Sequence, residues 1–431
     1  MSTHLNKGKR LIESGQSRPL RVALVTSSLR LAGAEKQTVY TARALLHAGI
    51  DVRLFYLGDG GYYANVLRQM GVPLRQIYAP NRPWVILARL IGAFCLLRPD
   101  IVLVNQFGDL LHGATAGRLC NALTLGGVRS DGCHELNAHG GLSQWMLRLA
   151  HGFVANSCRA RQNLGSRGIK PHKVQVLPNV IDLQGFDARS TLSPRLSLPA
   201  GRVITAAVGR LHPCKRFDRF LEALTLARRS EPKLAGVIAG ADCGARNALQ
   251  ERANALGLRP PDLTFLGECD RIPALLVRAG LFVLSSDYEG FPNVILEAMA
   301  ARLPVITTPA GDASLVVQHG KTGYVVEPGD TQGMGAFMVR LARSPSMRST
   351  FGEAGRKRVE LDYDYDSLSG RLVAMFHRFA SQQRRDSVIA MLEHGVATRK
   401  TGTLSGELLL DGPAAWCCLG APDTGARNQQ R

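Results

Sequence analysis

Hydrophobic residues along this chain fall into short β-branched runs separated by stretches with helical spacing. From Arg21, RVALVTSS reads as a strand, SLRLAGAE as a turn-rich loop, and KQTVYTARALLHAG as a helix ending at Gly49. DVRLFYLG follows as a second strand; Asp100 to Val104, Gly152 to Ser157 and Val174 to Leu177 read the same way. Between Asp187 and Arg202 the pattern lapses into ARSTLSPRLSLPAG, a linker composition. The alternation then restarts, with strands expected at Val203–Val208, Ala235–Ala239, Leu263–Leu266, Leu281–Ser285 and Pro304–Thr308. Short apolar strands alternating with helices predict α/β architecture with parallel, doubly wound sheets. Two such units face each other across a cleft at the carboxyl ends of their strands. A helical stretch runs from Arg356 to about Gln383, and from Arg385 no period persists.

Composition narrows the class. With 431 residues, 45% of them hydrophobic and 20% charged, the chain suits two soluble domains, each with its own core. The net charge of +19 is uneven: residues 1–200 hold 24 Lys and Arg against 10 Asp and Glu, the remainder 29 against 24. A basic first half predicts an anionic partner there, such as a phosphate-rich substrate or an acidic membrane surface. Nucleic acid is not expected, since aromatics make up only 6% and are scattered. Nine cysteines without a C-x-x-C pair point to free thiols in a reducing compartment. The first twenty residues lack the apolar core of a signal peptide. The longest apolar run, Trp84 to Leu97, is too short to span a bilayer and contains Arg89, so a half-buried helix is expected.

The chemistry concentrates in SSDYEGFPNVILEAMAARLPVI. A strand ends at Ser285, a loop carries Glu289, and a helix starts around Pro292 with Asn293 and Glu297. The opening amides of such a helix have no intrahelical acceptor and sit at the positive end of its dipole, which suits a diphosphate. Glu297, about a turn in, can point back and accept hydrogen bonds from two ribose hydroxyls, while Glu289 can reach a sugar beyond the phosphates. On their own, two glutamates eight positions apart are better read as a turn bond and a helix cap.

The stretch EGFPNVILE followed by AMAARLPVITT resembles the glutamate–seven–glutamate motif of retaining GT-B glycosyltransferases, family four. VGRLHPCKRFDRFLEAL is similar to that family's glycine–arginine–spacer–lysine signature, and HGKTGYVVEPGD to the segment after the motif. In the first half, LRLAGAEKQTVYTARAL resembles the glycine-rich loop and helix of the polysaccharide-assembly branch, and NSCRARQNL and LPNVIDLQGF the approach to the hinge. The resemblance covers roughly residues 20 to 380 and implies two Rossmann-like domains.

In that scheme 1–19 is a flexible segment and 20–190 the acceptor-binding domain. Residues 191–201 are a linker, 202–360 the nucleotide-sugar domain, 361–384 a closing helix packing back on the first domain, and 385–431 a weakly ordered tail. The resemblance implies that Arg210 and Lys215 bind the donor diphosphate, with Gly33 approaching the same phosphates. Gly290, Phe291 and Asn293 are implied to hold sugar and phosphate, Glu297 the ribose and Glu289 the donor sugar. Catalytic duty would fall on Glu289, Arg210 and Lys215. Arg129 in GGVRSDGCHEL stands where many relatives carry a sugar-contacting histidine, with His134 and His139 downstream, and Ala32 replaces a commoner glycine.

The implied reaction transfers a hexosyl or N-acetylhexosaminyl group from a UDP- or GDP-sugar to a polysaccharide or lipid-linked saccharide, with retention and without cofactor or metal. Peripheral contact with the cytoplasmic face of a membrane is expected from the charge excess. A sugar-nucleotide epimerase on the same fold is the nearest alternative. Gly320-Lys321-Thr322 lacks the earlier glycine of a phosphate loop, and Asp362, Asp364 and Asp366 lie beyond the last core strand.

Overall fold

The computed structural model describes residues 18–30, 32–58, 60–132, 136–137, 140–191, 196 and 198–397. His134, His139 and the chain beyond 397 lie outside the described residues.

The first sheet contains β1 (Arg21–Thr26), β2 (Asp51–Tyr56), β3 (Leu74–Gln76), β4 (Ile101–Val104), β5 (Leu123–Val128), β6 (Gly152–Ala155) and β7 (Val174–Val176), in the order β3-β2-β1-β4-β5-β6-β7. The second contains β8 (Val203–Val208), β9 (Leu234–Ala239), β10 (Leu263–Gly267), β11 (Leu281–Leu284), β12 (Val305–Thr307) and β13 (Gly323–Val325), in the order β10-β9-β8-β11-β12-β13. All pairings are parallel. Strand order reverses between β1 and β4 and again between β8 and β11, and a crevice opens at the carboxyl end of each reversal. Helices cover both faces, so central strands such as Ile101–Val104 and Leu281–Leu284 are buried throughout.

Three expectations change. The loop SLRLAGAE is shorter than it reads: the helix opens at Gly33, with Ala32 as an extended cap, and runs to His47. Ala34, Glu35, Lys36 and Gln37 are good helix formers, and Glu35 in the first turn complements the dipole. The linker expected from residue 191 is preceded by a helix, Leu183–Thr191, whose second half falls in the stretch read as linker composition. The weakly ordered tail expected from 385 begins instead with a helix, Asp386–Ala397. Val388 and Leu392, one turn apart, are buried against the first lobe's core, and Arg385 donates to the Asn121 carbonyl at 3.0 Å.

The chain returns to the first lobe after completing the second. Helix Pro345–Asp362 is followed by a turn and by helix Leu368–Gln382. Leu368, Leu372, Met375, Phe376, Phe379 and Ala380 form a helical stripe that joins the core between β1, β2 and helix Gly33–His47. At the crossing, Ile181 N–H donates to the Tyr363 carbonyl and Tyr365 N–H to the Ile181 carbonyl, both at 2.9 Å. The Arg356 guanidinium, itself largely buried, reaches both carboxylate oxygens of Asp187 at 2.8 Å.

Phe379 occupies the space a side chain at residue 152 would need, since a Cβ built on Gly152 stands 2.3 Å from its ring. Phe379→Ala should therefore cost about 3–5 kcal/mol, read as a lowered urea midpoint with unchanged m-value. A loss under about 1 kcal/mol would mean that the returning helix does not hold the first lobe.

Candidate functional site

The carboxyl edges of the two sheets face one another across a cleft of about 520 Å³. Gly33, Arg129, Arg210, Lys215, Glu289, Gly290, Phe291, Asn293 and Glu297 all line it. Each sits just past a strand or at a helix start: Gly33 after β1, Arg129 after β5, Arg210 and Lys215 after β8, and Glu289 to Glu297 after β11. Residues more than 250 positions apart thereby share one crevice.

Lys215 closes a short turn, Pro213–Lys215, and the next residue, Arg216, adopts a left-handed backbone with φ 49°. That strained step is held from both sides. Ser285 Oγ donates to the Lys215 carbonyl at 3.0 Å and Asp287 N–H to the Cys214 carbonyl at 2.9 Å. The guanidinium groups of Arg216 and Arg219 both bind the Asp287 carboxylate. The two loops form one rigid unit, on which Lys215 Nζ meets Glu289 Oε1 at 2.6 Å and Ser286 Oγ donates to the same oxygen at 2.8 Å. Arg210 is exposed, and its side chain makes no hydrogen bond or ion pair among the described residues.

Helix Asn293–Ala300 begins at the cleft with Pro292 as its cap residue, and no side chain caps its amino end. Its opening residues therefore present a positive dipole end to the cavity. Asn293 bridges the lobes: its Oδ1 accepts from Asn179 Nδ2 at 2.8 Å, and its Nδ2 lies 3.4 Å from the Gly33 carbonyl. A Cβ on Gly33 would stand 2.8 Å from that Nδ2. Gly290 is tighter still, for a Cβ there would be 2.5 Å from the Arg129 carbonyl and 2.8 Å from Ser130 Cα. Arg129 itself is oriented by Asn105, whose Oδ1 accepts from Nε at 3.0 Å, and its carbonyl accepts from Asn156 Nδ2 at 2.8 Å.

Several contributors carry no signal in spacing or composition. Lys36, in the first turn of helix Gly33–His47, reaches across the cleft to Glu297 Oε1 at 2.8 Å. Burial opposes its charge, but the Glu297 carboxylate outweighs this and holds the ammonium above the usual lysine range. Burial also pushes the Tyr63 hydroxyl, on the same wall, up to about 12. Asp312, after β12, accepts from Cys158 N at 2.7 Å and Arg159 N at 3.1 Å, capping helix Cys158–Ser166 of the opposite lobe. Cys269, Asp270, Ile272 and Pro273 close the far end. Only the tertiary structure brings Lys36, Asn156 and Asn179 to the cavity and Asp312 to the lobe junction, although the motif that contains Lys36 is visible in the sequence.

Residues 31–184 match the family model described as Glycosyltransferase Family 4, and residues 189–358 that described as Glycosyl transferases group 1. The chain is 40% identical to N-acetyl-alpha-D-glucosaminyl L-malate synthase of Bacillus anthracis over 113 residues, 26% of this chain and 30% of that protein. To the capsular polysaccharide biosynthesis glycosyltransferase CapM of Staphylococcus aureus it is 37% identical over 102 residues, 24% of this chain and 27% of the relative. Both matches thus span less than a third of the relative's length. A D-inositol 3-phosphate glycosyltransferase of Salinispora arenicola is 25% identical over 436 residues, covering 86% of this chain and 95% of that one. Among solved structures, Anabaena HepE in complex with UDP and glucose shares the fold with TM-score 0.73 and 19% identity, covering 83% of this chain and 99% of HepE.

The Lys36–Glu297 pair is about four-fifths shielded from solvent on both sides (19% and 20% exposed). Lys36→Met would leave a shielded carboxylate unpaired and should cost about 2 kcal/mol, short of the ~3–5 kcal/mol of fully buried pairs. Lys36→Met combined with Glu297→Leu should recover much of that loss, a coupling that a double-mutant cycle by urea unfolding measures. Strictly additive losses would show that the pair does not join the lobes.

Proposed function

Because this chain belongs to the family-four glycosyltransferases of GT-B fold, we propose that its cleft binds a UDP- or GDP-sugar and transfers the hexosyl or N-acetylhexosaminyl group, with retained configuration, to a polysaccharide or lipid-linked saccharide. The observation that carries this reading is the convergence of Arg210, Lys215, Glu289, Glu297 and the uncapped start of helix Asn293–Ala300 on one cavity. The diphosphate lies between that helix start and the Gly33 edge, where cations and backbone amides face its charge. The Arg210 guanidinium, which has no partner among the described residues, turns onto the diphosphate, and Lys215 follows once Glu289 engages the sugar. Glu297 takes the ribose hydroxyls.

In the step itself the bond from the anomeric carbon to the phosphate oxygen breaks. The acceptor oxygen bonds to that carbon on the same face, and the acceptor proton passes to the departing phosphate oxygen. Negative charge grows on the leaving nucleoside diphosphate, and fixed cations and amides stabilise it without reorganising. The UDP and glucose bound to HepE and the capsular role of CapM support testing UDP-sugars and saccharide polymers first.

A thermal-shift screen of nucleoside diphosphates should reveal stabilisation by UDP or GDP. Measured against its own ligand-free midpoint, Glu297→Ala should weaken that binding about tenfold, or roughly 1.4 kcal/mol. Glu289→Ala should lower turnover about a hundredfold while changing diphosphate affinity far less. Wild-type behaviour of both variants would overturn the assignment.

A further inference from the structure

Three helices lie side by side on one face of the first sheet: Pro83–Leu97, Leu110–Leu119 between, and Gly140–Leu149. Their inner faces share one core through Leu90, Phe94, Leu110, Ala114, Met146 and Leu147. None of the three contains an aspartate or glutamate. From residue 60 to 99 the chain holds five arginines (68, 75, 82, 89 and 98), no lysine and no acidic residue. In the second lobe, helix Phe217–Ser230 carries Asp218 and Glu222; helix Thr331–Arg343 lacks acidic residues but packs on Phe217–Ser230, so the two form no acid-free layer. Arg68 belongs to helix Tyr62–Gln69 on the opposite face of the sheet, whereas Arg82 and Arg89, with Arg118 and Arg148, give the three-helix layer positive charge with no acidic residue in its helices.

That surface is also apolar where it should be polar. Trp84 is 70% exposed and Trp145 48%, with Tyr78 and Leu142 likewise exposed beside them. In a parallel sheet each crossover helix starts at the carboxyl edge of the strands, so Tyr78, Trp84 and Leu142 stand on the edge that bears the cleft, with Trp145 a turn further in. Arg82 caps the first helix at the same edge, and Arg89 is exposed along it. The two indoles sit on the outer helices of the layer, about 20 Å apart from ordinary helix spacing. Anchors so separated on convex helices match a broad, flat partner better than a peptide lying in a groove. Indole and phenol rings flanked by guanidinium groups are the residues that settle at a lipid–water interface, and arginines without acidic neighbours match an anionic one. Among the described residues no helix is long and apolar enough to cross a membrane.

We propose that this two-tryptophan rim of the first lobe, whose three helices carry no acidic residue, rests on an anionic lipid surface, on the cytoplasmic side, and holds the mouth of the cleft at the bilayer. The inference rests on the proposed transfer reaction only in supplying a lipid-linked acceptor at that mouth. Trp84 and Trp145 would embed at headgroup depth, with Arg82 and Arg89 facing lipid phosphates, while the donor enters from the second lobe.

The test uses the full chain with vesicles of equal parts phosphatidylcholine and phosphatidylglycerol, against vesicles of phosphatidylcholine alone. Trp416→Phe leaves only the two rim indoles to report. The expected result is co-sedimentation with the anionic vesicles, a blue shift of tryptophan emission, and a strong loss at high salt. Trp84→Ala with Trp145→Ala should lower partitioning at least tenfold, and Arg82→Gln with Arg89→Gln should remove most of the preference for anionic lipid. Both double variants should bind UDP or GDP as the parent does, which separates failure at the membrane from failure of the donor site. Equal partitioning of parent and tryptophan variant, absence of vesicle binding, or an emission shift produced by soluble dextran instead of vesicles would overturn the proposal.

Discussion

Gly290 lies against the backbone of Arg129 and Ser130 with no room for a side chain, and much of the site depends on that contact. The loop carrying Glu289 and the helix carrying Glu297 belong to the second lobe, yet they can face the first lobe's cations and amides only if the two backbones meet. Asp312 reinforces the junction by capping a first-lobe helix, and Asn293 does so between Asn179 and Gly33. Burial holds the Asp312 carboxyl above its usual range, against the pull of the Cys158 and Arg159 amides, as expected of a charge placed between two protein surfaces. Polar contacts at a lobe junction suit a cleft that must admit and release a ligand, because they can exchange with water at little cost.

Within the cleft, charge is matched before any ligand arrives. Lys215 pairs with Glu289 inside one lobe and Lys36 with Glu297 between lobes, while Arg210 stays exposed. An anionic ligand entering such a site finds both lysines already paired, with the Arg210 side chain unpaired among the described residues. It displaces carboxylates that are then available for hydroxyl groups, so the same pairs that stabilise the empty cleft set the geometry of polar recognition. A ligand with a stronger claim on lysine and arginine than these carboxylates would offset the cost of separating them.

The returning helix Leu368–Gln382 couples the lobes by another means. Its apolar stripe belongs to the first lobe's core, although the chain reaches it only after completing the second sheet. Lobe orientation is thereby fixed at two crossings, near Ile181 and near Tyr363, which lie beside each other and are hydrogen-bonded. A pair of adjacent crossings permits rotation about one line more easily than sliding.

Local pattern was enough to specify the two parallel sheets, because a strand buried on both faces must be apolar throughout and its helix must begin just past it. The same logic placed Glu289 and Glu297 just past a strand end, and motif frame brought Gly33, Arg129, Arg210, Lys215, Gly290, Phe291 and Asn293 into view. Strand β3 escaped because it is three residues long and largely exposed, and β5 because two of its six residues are glycine. Helix Asp386–Ala397 escaped because Val388 and Leu392 acquire meaning only against a core that joins the preceding helix, Leu368–Gln382, to strands near the start of the chain. Lys36 reads as one more charge on a helix face until folding sets it beside Glu297, 261 residues away. Periodicity and local chemistry travel with neighbours in the chain and are legible there; which distant carboxylate a lysine neutralises, and which helices share an acid-free face, is decided by how the sheets close on each other.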